Sequence, residues 1–310
     1  MTVIVGGATG LAGSAIVKAF EAQGETVIGI NRSVVDLLNA HKTEEFVASV
    51  KPSLIVDAAA KVGGIGANAS YPVEFLLDNL TIQANLMKAA HKASIPNFVF
   101  LGSSCVYPRD CAQPIKEEYL MTGPLEETNS AYAIAKIAGI ELVNSYRKEY
   151  GTKWISLMPT NLYGPQDNFD LTASHVLPAF IRRFVEAVEN GASKVTLWGS
   201  GSPLREFLHV DDLANAVVLA SEKYDSKLHL NVGSGEELSI KELAVKVATA
   251  AGFTGEIQWD SSKPDGTPRK VLDVSRIKAL GWKPTITLTE GITSTIAWYK
   301  EANARGEVRK

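Results

Sequence analysis

The chain has 310 residues, of which 45% are apolar and 21% charged, values that suit a folded protein with a large core. Its 31 basic and 34 acidic residues leave a net charge of −3, and no basic run interleaves with aromatics, which excludes nucleic acid or an anionic membrane as the main partner. No apolar run approaches the ~18 residues needed to cross a bilayer. The start lacks a basic leader, and Cys105 and Cys111 make no disulfide framework, so a reduced, cytoplasmic protein is expected.

Short apolar runs alternate with helical patterns along the first half. Strands are predicted over 2–5, 25–31, 53–60, 97–103 and 153–159. Helices are predicted over 11–23, 41–50, 72–93 and 130–150. The strands are near-continuously apolar, as strands covered on both faces are, and helical crossovers between them imply parallel pairing. The expectation is an α/β protein with a doubly wound parallel sheet of the Rossmann kind over residues 1–165.

Beyond Pro165 the rhythm changes. A loop precedes a helix from Val176 to Glu189, then come a strand over 194–198, a polar loop over 199–207 and a helix over 209–224. Ser239 with Glu242 three residues later is a capping-box spacing that opens a helix over 239–252. Residues 166–310 read as a smaller mixed C-terminal lobe, with about 205–235 returning to the first domain.

Between the first strand and helix stands Gly7-Ala8-Thr9-Gly10-Leu11-Ala12-Gly13. Glycines spaced by three permit a tight turn, close approach of the backbone to a pyrophosphate, and close helix–strand packing. The phosphates would rest on the helix N-terminus. At the end of the second strand the acid expected for a ribose 2′-hydroxyl is missing, and Asn31-Arg32-Ser33 stands in its place. Arg32 suits a 2′-phosphate, so NADP(H) is favoured over NAD; Asp36 lies several residues too late to replace the acid.

Tyr132 and Lys136 are four apart on one predicted helix and share a face. An ammonium near a phenol is expected to lower the phenol's pKa and suit it to proton transfer with a carbonyl or alcohol. One strand–turn unit earlier lies "FLGSSCVYP", residues 100–108, with Ser103, Ser104 and Cys105 in the turn.

Glycine turn, serine turn and Tyr-Ala-Ile-Ala-Lys in this order resemble the extended short-chain dehydrogenases/reductases. "AAAKVGGIGAN" (58–68), "MPTNLYGPQDNF" (158–169), "SHVLPAFIRRF" (174–184), "LWGSGSPLREFLHVDD" (197–212) and "KPDGTPRKVLDV" (263–274) extend the resemblance over nearly the whole chain. They point to the branch that epimerises C3 and C5 of GDP-4-keto-6-deoxy-D-mannose and reduces C4 with NADPH, as a cytosolic homodimer. The resemblance implies a GDP-sugar substrate, with Leu11, Ala12, Leu101, Gly102, Ser104, Lys136, Pro159, Asn161, Leu162 and His175 joining Gly7, Gly10, Gly13 and Arg32 around the cofactor. No metal is expected.

In related dehydratases the serine turn carries an Asp-Glu pair; here its central positions are Ser104 and Cys105. A carbon beside a C4 ketone is acidic, because its carbanion is an enolate. Cys105 is therefore expected as the base, and the resemblance gives His175 the acid role on the opposite face. Tyr132 would protonate the C4 oxygen during reduction, Ser103 would hydrogen-bond it, and Lys136 would hold the nicotinamide ribose. For the nucleotide-sugar, the matching motifs offer Asn161, Arg183, Trp198, Arg205, Asp265 and Lys270, with Arg182 and Arg269 as open alternatives to their neighbours. Cys111 is given no role and His209 is expected to hydrogen-bond at a helix start. The competing expectations are an enzyme acting on another GDP-keto-deoxy-sugar, and a non-catalytic NADP-binding sensor.

Overall fold

The computed structural model describes residues 1–263 and 265–309. Its strands are β1 (Thr2–Gly6), β2 (Thr26–Ile30), β3 (Leu54–Asp57), β4 (Asn97–Leu101), β5 (Ile155–Pro159), β6 (Asn161–Tyr163), β7 (Lys194–Trp198), β8 (Leu204–His209), β9 (Leu230–Val232), β10 (Glu237–Ser239), β11 (Glu256–Asp260) and β12 (Arg269–Lys270). Its helices are α1 (Leu11–Ala22), α2 (Ala40–Val50), α3 (Ile65–Ser70), α4 (Pro72–Lys92), α5 (Ser130–Tyr150), α6 (Val176–Glu189), α7 (Val210–Lys223), α8 (Ile240–Ala251), α9 (Ser275–Ala279) and α10 (Leu288–Ala304).

Six strands form one sheet in the order β2-β1-β3-β4-β5-β9, every pair parallel. The order reverses between β1 and β3, and the carboxyl ends of the strands there frame the crevice where open α/β sheets take ligands. Helices α1 and α7 pack together, and α4 packs with α2 and α5. The doubly wound sheet expected from the apolar runs is thus present. Its core includes Val3, Ile4, Val5, Leu54, Ile55 and Val56, all at most 1% exposed, as burial on both faces requires.

A second apolar cluster gathers Tyr163, Phe169, Phe180, Phe184, Leu243, Val247, Ile292 and Tyr299 from β6, α6, α8 and α10 and the segment between β6 and α6. Residues 208–232 contribute Leu208, Leu213, Val217, Leu230 and Val232 to the first core, and so do Leu272, Val274, Ile277 and Trp282 from farther along the chain. The capping box of Ser239 and Glu242 is formed.

Three differences from the sequence reading shape the site. β3 ends at Asp57 rather than Ala60, and β4 at Leu101 rather than Ser103. The first difference frees 58–64 to run along the cleft before α3, a helix that residue periodicity did not reveal. The second puts Ser103 at the head of a 3₁₀ turn, Ser104–Val106, where its Oγ accepts the Cys105 N–H at 3.3 Å. Third, the polar loop expected over 199–207 ends at Pro203. β8 follows, paired with β6, β10 and β12 and carrying a wholly buried Glu206. Glu206 is tolerated because Gly235 and Leu272 donate backbone N–H groups to its two oxygens at 2.6 and 2.9 Å.

Candidate active site

One cleft of about 1060 Å³ runs from the glycine turn across the ends of β4 and β5 to the second core. Every residue named from the sequence for catalysis, cofactor or nucleotide-sugar lines it, apart from the alternatives Arg182 and Arg269.

The glycine turn fits a pyrophosphate. Gly7 has φ +72°, and a Cβ there would stand 2.7 Å from the Ala58 carbonyl oxygen. A Cβ on Gly13 would collide with the Gly7 carbonyl oxygen, so α1 packs close on β1 only because that atom is missing. Gly10 caps α1 without a side-chain hydrogen bond, and the helix has no acid in its first turn, leaving its N–H groups facing the cleft. After β2, Asn31 Oδ1 accepts the Ser33 N–H at 2.9 Å and the Ser33 hydroxyl at 2.6 Å, an Asx turn that presents the exposed Arg32 to the cleft. Asp36 also lines the cleft, but one of its oxygens accepts the Leu38 N–H at 3.1 Å. Leu101 at the end of β4 with Gly102 and Ser104 beyond it, Pro159 at the end of β5, and Asn161 and Leu162 of β6 line the cleft. Asn161 Nδ2 donates to the Glu206 carbonyl at 2.8 Å and so ties β6 to β8.

Ser103, Tyr132 and Lys136 converge at the end of β4. Burial pushes the Tyr132 phenol well above its ordinary range, Cys105 adds to the rise, and a hydrogen bond with Ser103 partly offsets it. This corrects the expectation that Lys136 depresses the phenol. The Lys136 ammonium is 6.0 Å from the Tyr132 ring centre and donates instead to the Leu101 carbonyl at 2.8 Å. Burial lowers Lys136 itself to about 8, with Asp57 pulling the other way. Asp57, wholly buried at the end of β3, is in turn raised to about 6 by burial, against the opposing charge of Lys136. Sequence reasoning passed over Asp57; its signal was an acid ending an otherwise apolar strand.

Cys105 is half-buried and a free thiol. Its Sγ receives Asn129 Nδ2 at 3.5 Å and Lys270 Nζ at 3.6 Å. Asn129 was also passed over, since as the residue before α5 it reads as an ordinary helix-start asparagine. His175 opens α6 and is exposed to the cleft interior though walled by protein. Its pKa lies below the ordinary imidazole value, lowered by desolvation and then by the Lys270 charge.

The far end is cationic and aromatic. Trp198 keeps 56% of its surface exposed, with the Arg183 guanidinium 6.0 Å and the Lys263 ammonium 5.6 Å from its ring centre. Arg182 does not line the cleft; it is bound to Glu186 at 2.7 Å and to the Phe169 carbonyl at 3.1 Å. Arg269 is likewise turned away in a two-pronged pair with Glu237, while Lys270 faces inward. Arg205 is partly desolvated, which lowers its pKa, while Asp265, Cys105 and Glu126 raise it. Asp265 accepts the Ser200 N–H at 2.7 Å and its hydroxyl at 2.8 Å, so it holds the 199–203 turn. His209 behaves as expected, accepting the Asp211 N–H at 3.3 Å at the start of α7, and Cys111 lies outside the cleft.

A site of this build, a glycine turn at a helix start with a Ser–Tyr–Lys set across the sheet end, defines a nucleotide-cofactor oxidoreductase or epimerase. The chain belongs to the NAD dependent epimerase/dehydratase family, whose sequence profile matches residues 3–233. It is 53% identical over 301 residues to "Probable GDP-L-fucose synthase 1" of Oryza sativa subsp. japonica, covering 96% of this chain and 92% of that one. It is 46% identical over 313 residues to "GDP-L-fucose synthase" of Escherichia coli (strain K12), covering 98% of both. A crystal structure of a GDP-L-fucose synthetase from Naegleria fowleri bound to NADP is similar at TM-score 0.91 and 29% identity, over all of this chain and 96% of that one.

Proposed function

We propose that this protein epimerises C3 and C5 of GDP-4-keto-6-deoxy-D-mannose and reduces C4 with NADPH, giving GDP-L-fucose. The observation that carries the reading is one cleft holding both a Ser103–Tyr132–Lys136 set and a Cys105–His175 pair. A dehydratase would need paired carboxylates in the turn that here holds Ser104 and Cys105. A sensor would not need a proton relay.

The residues act on one ketone. Cys105 takes the proton from C3; the electron pair of the broken C–H bond moves into the enolate, whose charge sits on the C4 oxygen. His175 supplies a proton from the opposite face and the carbon is inverted; the same exchange follows at C5. A low imidazole pKa in the free protein favours the neutral ring, and a bound diphosphate, by offsetting Lys270, would favour the protonated donor. Ser103 and Tyr132 donate to the C4 oxygen in both steps, first to enolate and then to alkoxide. A phenol held far above its ordinary range remains protonated at neutral pH, as a donor must. NADPH, when bound, supplies the hydride to C4. Gly7 to Gly13 and Arg32 would hold its pyrophosphate and 2′-phosphate, and Lys136 its ribose. Trp198, Arg183, Arg205 and Lys270, all lining the cleft, would meet the nucleotide and diphosphate, and Asn161 and Asp265 the sugar hydroxyls.

The proposal includes a cofactor lobe over 1–165 and a substrate lobe over 166–310, with segments around 205–235 returning to the first. It also includes a homodimer, supported by the exposed apolar Tyr71, Val73 and Leu77 at α4 and Ile134 of the adjacent α5. Leu77→Lys should then give monomers in sedimentation. A reducing, cytosolic setting suits a mechanism that needs Cys105 as a free thiol. Among the described residues no helix is long and apolar enough to cross a membrane. The test is incubation with GDP-4-keto-6-deoxy-D-mannose and NADPH followed by identification of the sugar. NADPH oxidation yielding GDP-L-fucose supports the reading, and no oxidation, or a different sugar, overturns it.

A further inference from the structure

The sulfur of Cys105 faces a cation delivered from 165 residues away. Lys270 Nζ stands 3.6 Å from Sγ, and Asn129 Nδ2 stands 3.5 Å from the same atom. The lysine is not a loose surface charge. β12 pairs in parallel with β8, with Lys270 opposite Arg205, and Arg269 on the other side is forked to Glu237 of β10. The following residue, Val271, donates its N–H to Gln113 Oε1 at 3.0 Å. The strand that carries Lys270 is therefore fixed before and after it. Behind the sulfur a second cavity of about 30 Å³, lined by Cys105, Arg109, Gln113, Glu126, Asn129 and Lys270 among others, is polar and large enough for one water.

We propose that Lys270, with Asn129, is the positioning device for the Cys105 sulfur, the two donating to Sγ, so that Lys270 serves epimerisation through the sulfur and not only through the substrate's phosphates. The inference deepens the proposed function and rests on it. Each inversion transfers one proton from His175 to Cys105 by way of the substrate. Before C5 can be attacked, the thiol must give up the proton it took from C3. An ammonium donor beside the sulfur favours that loss; a water in the rear cavity would relay the proton towards solvent, from which His175 regains the one it gave up. The other charged or titratable groups facing this point are Arg205 from β8, Tyr132 from α5, His175 from the start of α6, and Glu126, Arg109, Tyr107 and the Glu237-bound Arg269 on the walls of the rear cavity. Arg205 is engaged with the Leu204 carbonyl at 2.8 Å, and among the described residues Lys270 is the cation bonded to Sγ.

The test reads the thiol without any sugar. Cys105 in the free protein is alkylated with iodoacetamide at pH 7, and mass mapping counts Cys111 separately. Lys270→Met should slow Cys105 alkylation roughly tenfold, and Lys270→Arg should restore it to within about twofold. With substrate, Lys270→Met should slow exchange of the C3 and C5 protons with D2O by at least the same factor. An unchanged alkylation rate with a raised KM would show that Lys270 meets only the phosphates and would overturn the inference. Should Lys270→Met fail to bind NADPH, Lys270→Gln carries the same comparison. Failure of the unsubstituted protein to exchange would sink the proposed function by itself, while alkylation would still judge the Lys270–Cys105 pairing.

Discussion

The two chemical halves of the cleft are built at different chain distances. Ser103, Tyr132 and Lys136 come from the end of β4 and the first turns of α5, and the parallel sheet alone brings them together. Cys105 shares that turn, but its partners arrive from Lys270 on β12 and from His175 at the head of α6. The contrast teaches that the reducing half is a local motif on a rigid sheet, whereas the inverting half exists only once the second core has docked β12 and α6 over the first.

If the halves are separable, they should fail separately. The largest effect is expected from Cys105→Ser: D2O exchange at C3 and C5 should fall about a thousandfold, while NADPH binding persists. Exchange at the normal rate would remove the sulfur from the chemistry and dissolve the contrast. Tyr132→Phe should cut NADPH oxidation about a hundredfold yet leave exchange measurable, followed in parallel by absorbance and NMR. Parallel loss of both would mean that one oxygen cradle cannot be divided. Arg32→Ala should raise the KM for NADPH about tenfold with little change for NADH. Equal changes would deny Arg32 the 2′-phosphate.

The smallest effect is a displaced pH limb. Lys136, lowered to about 8 by burial, keeps its charge below that value and loses it above. Asp57, raised to about 6, keeps its charge above that value and loses it below. Between the two the pair is ionised, so reduction should be steady there and decline as pH rises past about 8. Asp57→Asn removes the charge that raises Lys136, so its decline should begin at lower pH and cost about threefold at the upper end of the plateau. A kcat/KM profile on both proteins checks this, and coincident alkaline limbs would refute the coupling.

Where the sequence reading fell short, the reasons are specific. β8 reads as a polar loop because Arg205 and Glu206 sit inside it, and only the Gly235 and Leu272 amides make a buried Glu206 acceptable. The choice between Arg182 and Arg183 was open because both lie on one helix turn; the rotation of α6 against the second core turns one to Glu186 and the other into the cleft. Tyr132 was expected low because a lysine four residues on suggests a neighbour. Burial and a Leu101 carbonyl that takes the ammonium reversed the sign. By contrast, α6 begins and ends where its pattern predicts, and the Ser239 capping box forms, because both are set by contacts within a few residues.

From the sequence alone came the parallel sheet, the glycine turn, the Tyr132–Lys136 face and the roster of cleft residues. The first three depend on periodicity or on spacing within one element, which the chain carries locally; the roster came from the motifs through which the chain resembles its family. Tertiary structure decided which of two adjacent arginines faces inward, what surrounds the phenol, and which cation meets the Cys105 sulfur. Those are matters of desolvation and of charges within a few ångströms, and they arise only when segments more than a hundred residues apart are packed against one another.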